Sequence, residues 1–253
     1  MKTQLTEVVL LTKSYNQQDF KDWMQWHLDT IGFDCCHIFD NESAADIKSI
    51  CDSYGDRVTY EYVEGWPNQY ALYNRYINNN SPAWWVLPID DDEFLWMKNF
   101  TDVNDMIISY QSKWKDMCKL SIRWENMFPK EPLADRGHMS LMEFNTEHNE
   151  KWAELFEGGN RPVKTFLKTT RHWEHTIYDG HNPDLTVASY MCNGDRLKGN
   201  WYLGNGDTEI KILHFQYKSK NEWITKCTNN IDAANKLRGH YAKNYALNWE
   251  KMI

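Results

Sequence analysis

The chain of 253 residues has no Cys-x-x-Cys spacing. Its six cysteines, Cys35, Cys36, Cys51, Cys118, Cys192 and Cys227, form no compact framework. That argues against structural zinc and for reduced thiols in a cytoplasmic protein. No apolar run approaches the ~20 residues of a spanning helix, and the run around Val8 to Leu11 is too short for a signal-peptide core. There is no Pro/Gly/Ser linker, low-complexity tract or internal repeat. Basic residues are in deficit, 28 Lys and Arg against 36 Asp and Glu, for a net charge of −8. A general nucleic-acid binder would carry the opposite sign. A Gly-rich basic phosphate loop is missing too, which counts against a nucleotidyl-transfer enzyme of the usual type. The expectation is a soluble protein with no stable membrane span.

What is present suits one sizeable core. Hydrophobic residues make up 42% of the chain and aromatics 15%, with 13 Trp, and one domain of this length is ordinary. The first hundred residues alternate between two periods. "EVVLLTK" reads as a buried strand, "DFKDWMQWHLDTIG" as an amphipathic helix, "DCCHIFDNES" as a strand and "AADIKSICDSYG" as a helix. "RVTYEYVE", "NQYALYNRYINNN" and "PAWWVLPID" continue as strand, helix, strand. Such alternation predicts βαβ units and a mostly parallel sheet. Cys35 and Cys36 are adjacent in a strand and should face opposite ways. Further on, "MCKLSIRWENMF", "RPVKTFLKTT" and "EIKILHFQYKS" carry strand character. Residues 129–160 are polar and read as a loop over a site, and the chain closes in helix.

The chemistry concentrates in "WWVLPIDDDEFLW", Trp84 to Trp96. Four consecutive acids repel one another and are costly to desolvate without a counter-charge. A solvated turn is the plain reading. The place of the acids at the carboxyl end of a strand, where open α/β sheets bind ligands, favours a metal site. Alternation along the strand would turn Asp90 and Asp92 one way and Asp91 the other. Oxygen ligands without nearby cysteine suit Mg²⁺ or Mn²⁺. Asp92 is expected to be a surface-edge carboxylate and Trp84 a core side chain.

The blocks around this stretch resemble nucleotide-sugar glycosyltransferases of the GT-A fold, in the family 2-like and family 92-like group. "LLTKSYNQQDFKDWMQWHLDTIGF" keeps the family's Lys13, Trp23, His27 and Gly32. "HIFDNES" keeps Asp40, Asn41 and Ser43, and "NQYALYNRYI" keeps Gln69 and Asn74. "WWVLPIDDDEFLW" keeps Asp90, Asp92, Glu93, Phe94 and Leu95. "LHFQYKSKNEWITK" keeps His214, Ser219, Glu222 and Lys226. Five blocks in order across the chain make the likeness specific.

The resemblance implies a single GT-A domain over 1–253. Residues 1–100 would form the donor half, and 101–253 a less regular acceptor half with terminal helices. It implies transfer of a hexosyl or pentosyl group from a UDP- or GDP-sugar, with inversion. The acceptor would be a glycan, lipid-linked glycan, protein or modified base. Asp90, Asp92 and His214 would hold Mn²⁺ or Mg²⁺, with Asp92 counted also among the reacting groups. Lys13, Asp40, Gln69, Asn74, Asp91 and Lys218 would contact the nucleotide sugar; Lys226 is a further phosphate cation, and Trp66 a stacking or packed aromatic. Glu143, Glu174 and Asp179 are the candidates for the catalytic base, and Lys164 matches a family lysine loosely. Each has a plainer alternative: a strand histidine for His214, a turn aspartate for Asp40, solvated lysines for Lys218 and Lys226. The rival functions are a metal-dependent phosphoesterase or nuclease and a sugar-binding module without catalysis.

Overall fold

A computed structural model describes residues 2–65, 68–129, 133–137, 139–144, 161–173, 188–192, 194, 201–202, 209–215, 218–222 and 224. Among these residues ten strands form one mixed, mostly parallel sheet with helices on both faces. In chain order they are β1 (Gln4–Thr12), β2 (Cys35–Asp40), β3 (Val58–Tyr62), β4 (Ala83–Pro88), β5 (Glu93–Met97), β6 (Met117–Asn126), β7 (Arg161–Lys168), β8 (Ala188–Met191), β9 (Trp201–Tyr202) and β10 (Ile210–His214). The helices are α1 (Gln17–Gln25), α2 (Ile47–Ser53), α3 (Gln69–Asn79), α4 (Val103–Lys113) and the single turn α5 (Leu141–Phe144). The continuous path through the sheet is β3-β2-β1-β4-β7-β6-β10-β5, with β8 on β6 and β9 on β7.

The first four strands are parallel; the carboxyl ends of β1, β2 and β3 coincide, and β4 stops three residues short of them. Thr12 pairs with Asp40, and Asp40 with Tyr62, while Val9 pairs with Pro88. Strand β1 explains why both faces of the sheet are covered. Val8 and Leu10 pack with Phe20, Trp23, Ile47 and Met106 from α1, α2 and α4. Val9 packs with Tyr73, Tyr76 and Ile77 of α3. A strand buried on both faces reads as a continuous apolar run, as "VVLL" does. Cys35 and Cys36 are both buried for the same reason, and the five described cysteines are free thiols.

Three features depart from the sequence expectations. Trp85 and Leu87 join the α1 face and are fully buried, but Trp84, at the start of β4, is 43% exposed. The strand also ends at Pro88, so the acids do not alternate along it; they form a turn, and Glu93 already opens β5. Helix α4 was not anticipated, although Asp102 caps it and Val103, Met106, Ile107 and Tyr110 bury one stripe at helical spacing. Among the described residues no helix is long and apolar enough to cross a membrane. The terminal helix expected after residue 224 lies outside the described residues.

Candidate active site

The acidic turn is held from below by α1. Asn16 caps this helix, accepting from the backbone N–H groups of Gln18 and Asp19. After α1 the chain makes a π-helical turn, Trp26–Thr30, a feature frequent near functional sites. Gly32 closes it at φ 81°, where an added Cβ would stand 3.0 Å from Asp102 Cβ. This segment places three rings against the turn. Trp23 Nε1–H donates to the carbonyls of Asp90 (3.2 Å) and Glu93 (3.0 Å). Trp26 Nε1–H donates to the carbonyl of Leu95 at 2.8 Å. His27 Nδ1–H donates to the Trp23 carbonyl (2.9 Å), and its Nε2 accepts from the Leu95 N–H (3.3 Å). Only the neutral imidazole makes both bonds, and burial pushes its pKa down to about 3.

The four acids then take four different environments. Asp90 is half-exposed; it accepts from Gln69 Nε2 at 3.2 Å and pairs with Lys164 Nζ at 3.0 Å. Asp91 accepts from the Thr12 hydroxyl at 2.7 Å, which ties the turn to the end of β1. Asp92 is only 3% exposed, so it is no surface-edge carboxylate. Its Oδ1 lies 3.5 Å from His214 Nε2, and the His214 ring is oriented by Asn126 Oδ1, 2.8 Å from Nδ1. Glu93 is fully buried opposite His214 in the β5–β10 register. One of its oxygens accepts from the Asp90 N–H (2.9 Å) and lies 3.2 Å from Lys164 Nζ, while Oε1 has no hydrogen-bond partner. Burial raises the Glu93 carboxyl to about 7 against the pull of Lys164. Burial alone would lower the Lys164 pKa, but the charges of Asp90 and Glu93 outweigh it and raise it.

Beside the turn lies a cleft of about 410 Å³, lined by Lys13, Tyr15, Asp91, Asp135, Lys218 and Glu222 among others. Lys13 faces Glu42 at 3.4 Å and Lys218 faces Asp19 at 3.9 Å. A second cavity of similar volume adjoins it across Asp19, with Trp26, Leu141 and Glu143 in its walls. There Ser140 N–H donates to Glu143, and that bond lowers the Glu143 pKa.

The expected residues therefore separate into groups. Asp90, Asp92, His214 and Gln69 meet at the turn. Asp91, Lys13 and Lys218 share the cleft. Asp40 is engaged locally, accepting from Tyr60 hydroxyl (2.6 Å) and Ser43 N–H (2.9 Å), the turn geometry its sequence allows. Asn74 is half-buried on α3. Trp66, Glu174, Asp179 and Lys226 lie outside the described residues. Asn126 and the rings of Trp23, Trp26 and His27 went unassigned in the sequence; the spacing of Trp23 and His27 marked a buried face but not what it would hold.

As to a divalent ion, Asp92 and His214 form a pair of suitable donors at the carboxyl ends of β4 and β10. Mg²⁺-like ions commonly take one or two protein groups and complete their shell with water and substrate phosphate oxygens. The pair fits that pattern. Asp90 faces Lys164 instead, and among the described residues no cluster of three or more His, Cys, Asp or Glu side chains gathers as a metal cage.

No protein-family model and no curated protein sequence matches the chain. Among solved structures it is similar to S. aureus TarS 1-349, at 11% identity and TM-score 0.40, over 66% of this chain and 47% of that one. The same protein in complex with UDP-GlcNAc gives 13% identity and TM-score 0.36, over 51% and 38%. A 4-diphosphocytidyl-2C-methyl-D-erythritol synthase from Anaerococcus prevotii gives 9% and 0.35, over 66% and 71%. The chain spans less than half the length of TarS 1-349. These likenesses are remote.

Proposed function

We propose that the chain is a metal-dependent glycosyltransferase of GT-A type, taking its sugar from a nucleoside diphosphate donor and inverting the anomeric centre. One observation carries the reading. The buried Asp92–His214 pair, 3.5 Å apart, sits at the carboxyl ends of strands, beside a cleft lined by Lys13 and Lys218. That combination suits a diphosphate: two cationic side chains for its oxygens, and a carboxylate–imidazole pair for Mn²⁺ or Mg²⁺. When bound, such an ion supplies Lewis-acid stabilisation of the charge that grows on the departing diphosphate.

The rest of the chemistry belongs to the chain. The acceptor hydroxyl oxygen attacks the anomeric carbon as the bond to the phosphate oxygen breaks. The bonding pair leaves with the nucleoside diphosphate, and the hydroxyl proton passes to a carboxylate base. Glu143, on the cavity next to the cleft, is the described candidate; its lowered pKa keeps it ionised while making it the weaker base. A two-ion phosphoesterase asks for ligands to both ions, and no observation favours it.

Calorimetry with UDP, GDP and their sugars, each with and without Mn²⁺, tests the reading. Binding of one nucleotide should require the metal. Asp92→Asn, chosen because the site is buried and the isostere keeps its volume, should lower that affinity at least tenfold. Equal affinity in the variant, or no nucleotide bound by the native chain, overturns the assignment.

A further inference from the structure

Lys164 is an unusual side chain in this fold. It is 1% exposed, it extends from the middle of β7, and β7 runs antiparallel between β4 and β6. A lysine is almost never buried so completely without a paired charge. Here its ammonium meets two carboxylates of one turn, Asp90 at 3.0 Å and Glu93 at 3.2 Å. It also stands 5.5 Å from the centre of the Trp124 ring, and that ring packs on His214 at 4.4 Å between centroids. The ammonium thus holds the residues on either side of Asp92 and lies near the ring that packs on His214.

We propose that Lys164 is a positioning residue, an internal cation that clamps Asp90 and Glu93 so that Asp92, between them in sequence, is held facing His214. The physical need is plain. Four adjacent acids would splay apart in water, and a flexible carboxylate pays ordering entropy each time it meets a ligand. A fixed cation beneath the turn removes that cost before any ligand arrives. Gln69 completes the clamp from α3, donating to the other Asp90 oxygen. Lys164 does not line the cleft, so its effect reaches a ligand there through the turn it holds.

Truncating Lys164 alone is ambiguous, since it leaves Glu93 buried and unpaired, a cost large enough to unfold the chain. The informative protein is the double variant Lys164→Met with Glu93→Gln, which removes both charges and keeps the volumes. Two readouts are taken on the full chain. The first is hydrogen exchange of the backbone amides from 89 to 95, without ligand. The second is Mn²⁺-dependent nucleotide affinity, which rests on the transfer reading above; the exchange readout does not. With a melting temperature near that of the native chain, we expect exchange across the turn to speed at least tenfold and nucleotide affinity to fall at least tenfold. Native-like exchange overturns the clamp, whatever the nucleotide does. Fast exchange in the variant, with a native chain that binds no nucleotide, keeps the clamp and rejects the transfer reading. Fast exchange with undiminished affinity overturns the claim that the clamp serves the site. A double variant that fails to fold is replaced by Lys164→Arg, which keeps the charge on a longer fork; it should preserve slow exchange, and fast exchange there overturns the clamp.

Discussion

Trp84 and Trp85 are adjacent, and the fold treats them as opposites. Period-two alternation sends Trp85 into the α1 face of the core with no exposed surface, while Trp84 remains 43% exposed. Trp85→Ala should cost about 3–5 kcal/mol, the usual range for truncating a buried aromatic. Trp84→Ala should cost under about 1 kcal/mol. Urea unfolding of the two variants checks this, and equal losses would contradict the burial pattern. The same contrast applies to the acids. Their presence was legible because four charges after an apolar run are conspicuous. Their separate environments were not, since they depend on Thr12, Gln69, Lys164 and His214, which lie from 21 to 122 residues away from their partners in sequence. Asp40 shows the converse: its turn role was one of two readings open in the sequence, and Tyr60 and Ser43 now occupy its carboxylate.

Among the elements, α1 with its π-helical turn does most to place the turn of acids, and His27 is its pin. Its folded pKa lies near 3, below the unfolded value of about 6.5. Between those values the unfolded chain binds the proton and the folded chain does not. The contribution of His27 is therefore whole above about pH 6.5 and is lost as pH falls toward 3, by at most about 5 kcal/mol. His37, with a pKa lowered to about 4 by burial, adds a slope of the same sign. His27→Gln should flatten the dependence of melting temperature on pH between 3 and 6.5 relative to the native chain. Thermal unfolding followed by circular dichroism reads this, and an unchanged slope would remove His27 from the account. The elements of the first hundred residues were legible because each keeps one strong period between turn residues. Helix α4 carried an equally clear signal, Asp102 followed by Val103, Met106, Ile107 and Tyr110, and was passed over. The π-helical turn is different: nothing local in "WHLDT" demands it, and its rings find their partners on β5.

At the scale of the molecule, the second half of the chain completes a sheet begun by the first. Strand β7 enters beside β4, and β10 brings His214 to β5; pairings so distant leave no mark in local periodicity. A further long-range link is ionic. Arg136 is 3% exposed and joins Asp19 of α1 to Glu222, with Arg136 Nε 2.8 Å from one Glu222 oxygen. Ser219 hydroxyl donates to the other Glu222 oxygen at 2.6 Å. Backbone bonds from Lys220 and Asn221 to Leu133 and Ala134 bind the same two segments. Asp135, Lys218, Asn221 and Glu222 are one wall of the cleft, and Lys13 to Gln17 with Asp19 and Phe20 the other, so Arg136 holds the two walls together. Arg136→Met leaves two carboxylates without their common cation and should cost about 3–5 kcal/mol. High salt should not reproduce the loss in the native chain, because a buried network is screened far less than a surface pair. Melting temperatures of native and variant chains, each at low salt and at high salt, separate these cases. A native chain that salt weakens as much as the substitution does would make the network a surface feature, and the joining of the two walls would then not rest on Arg136.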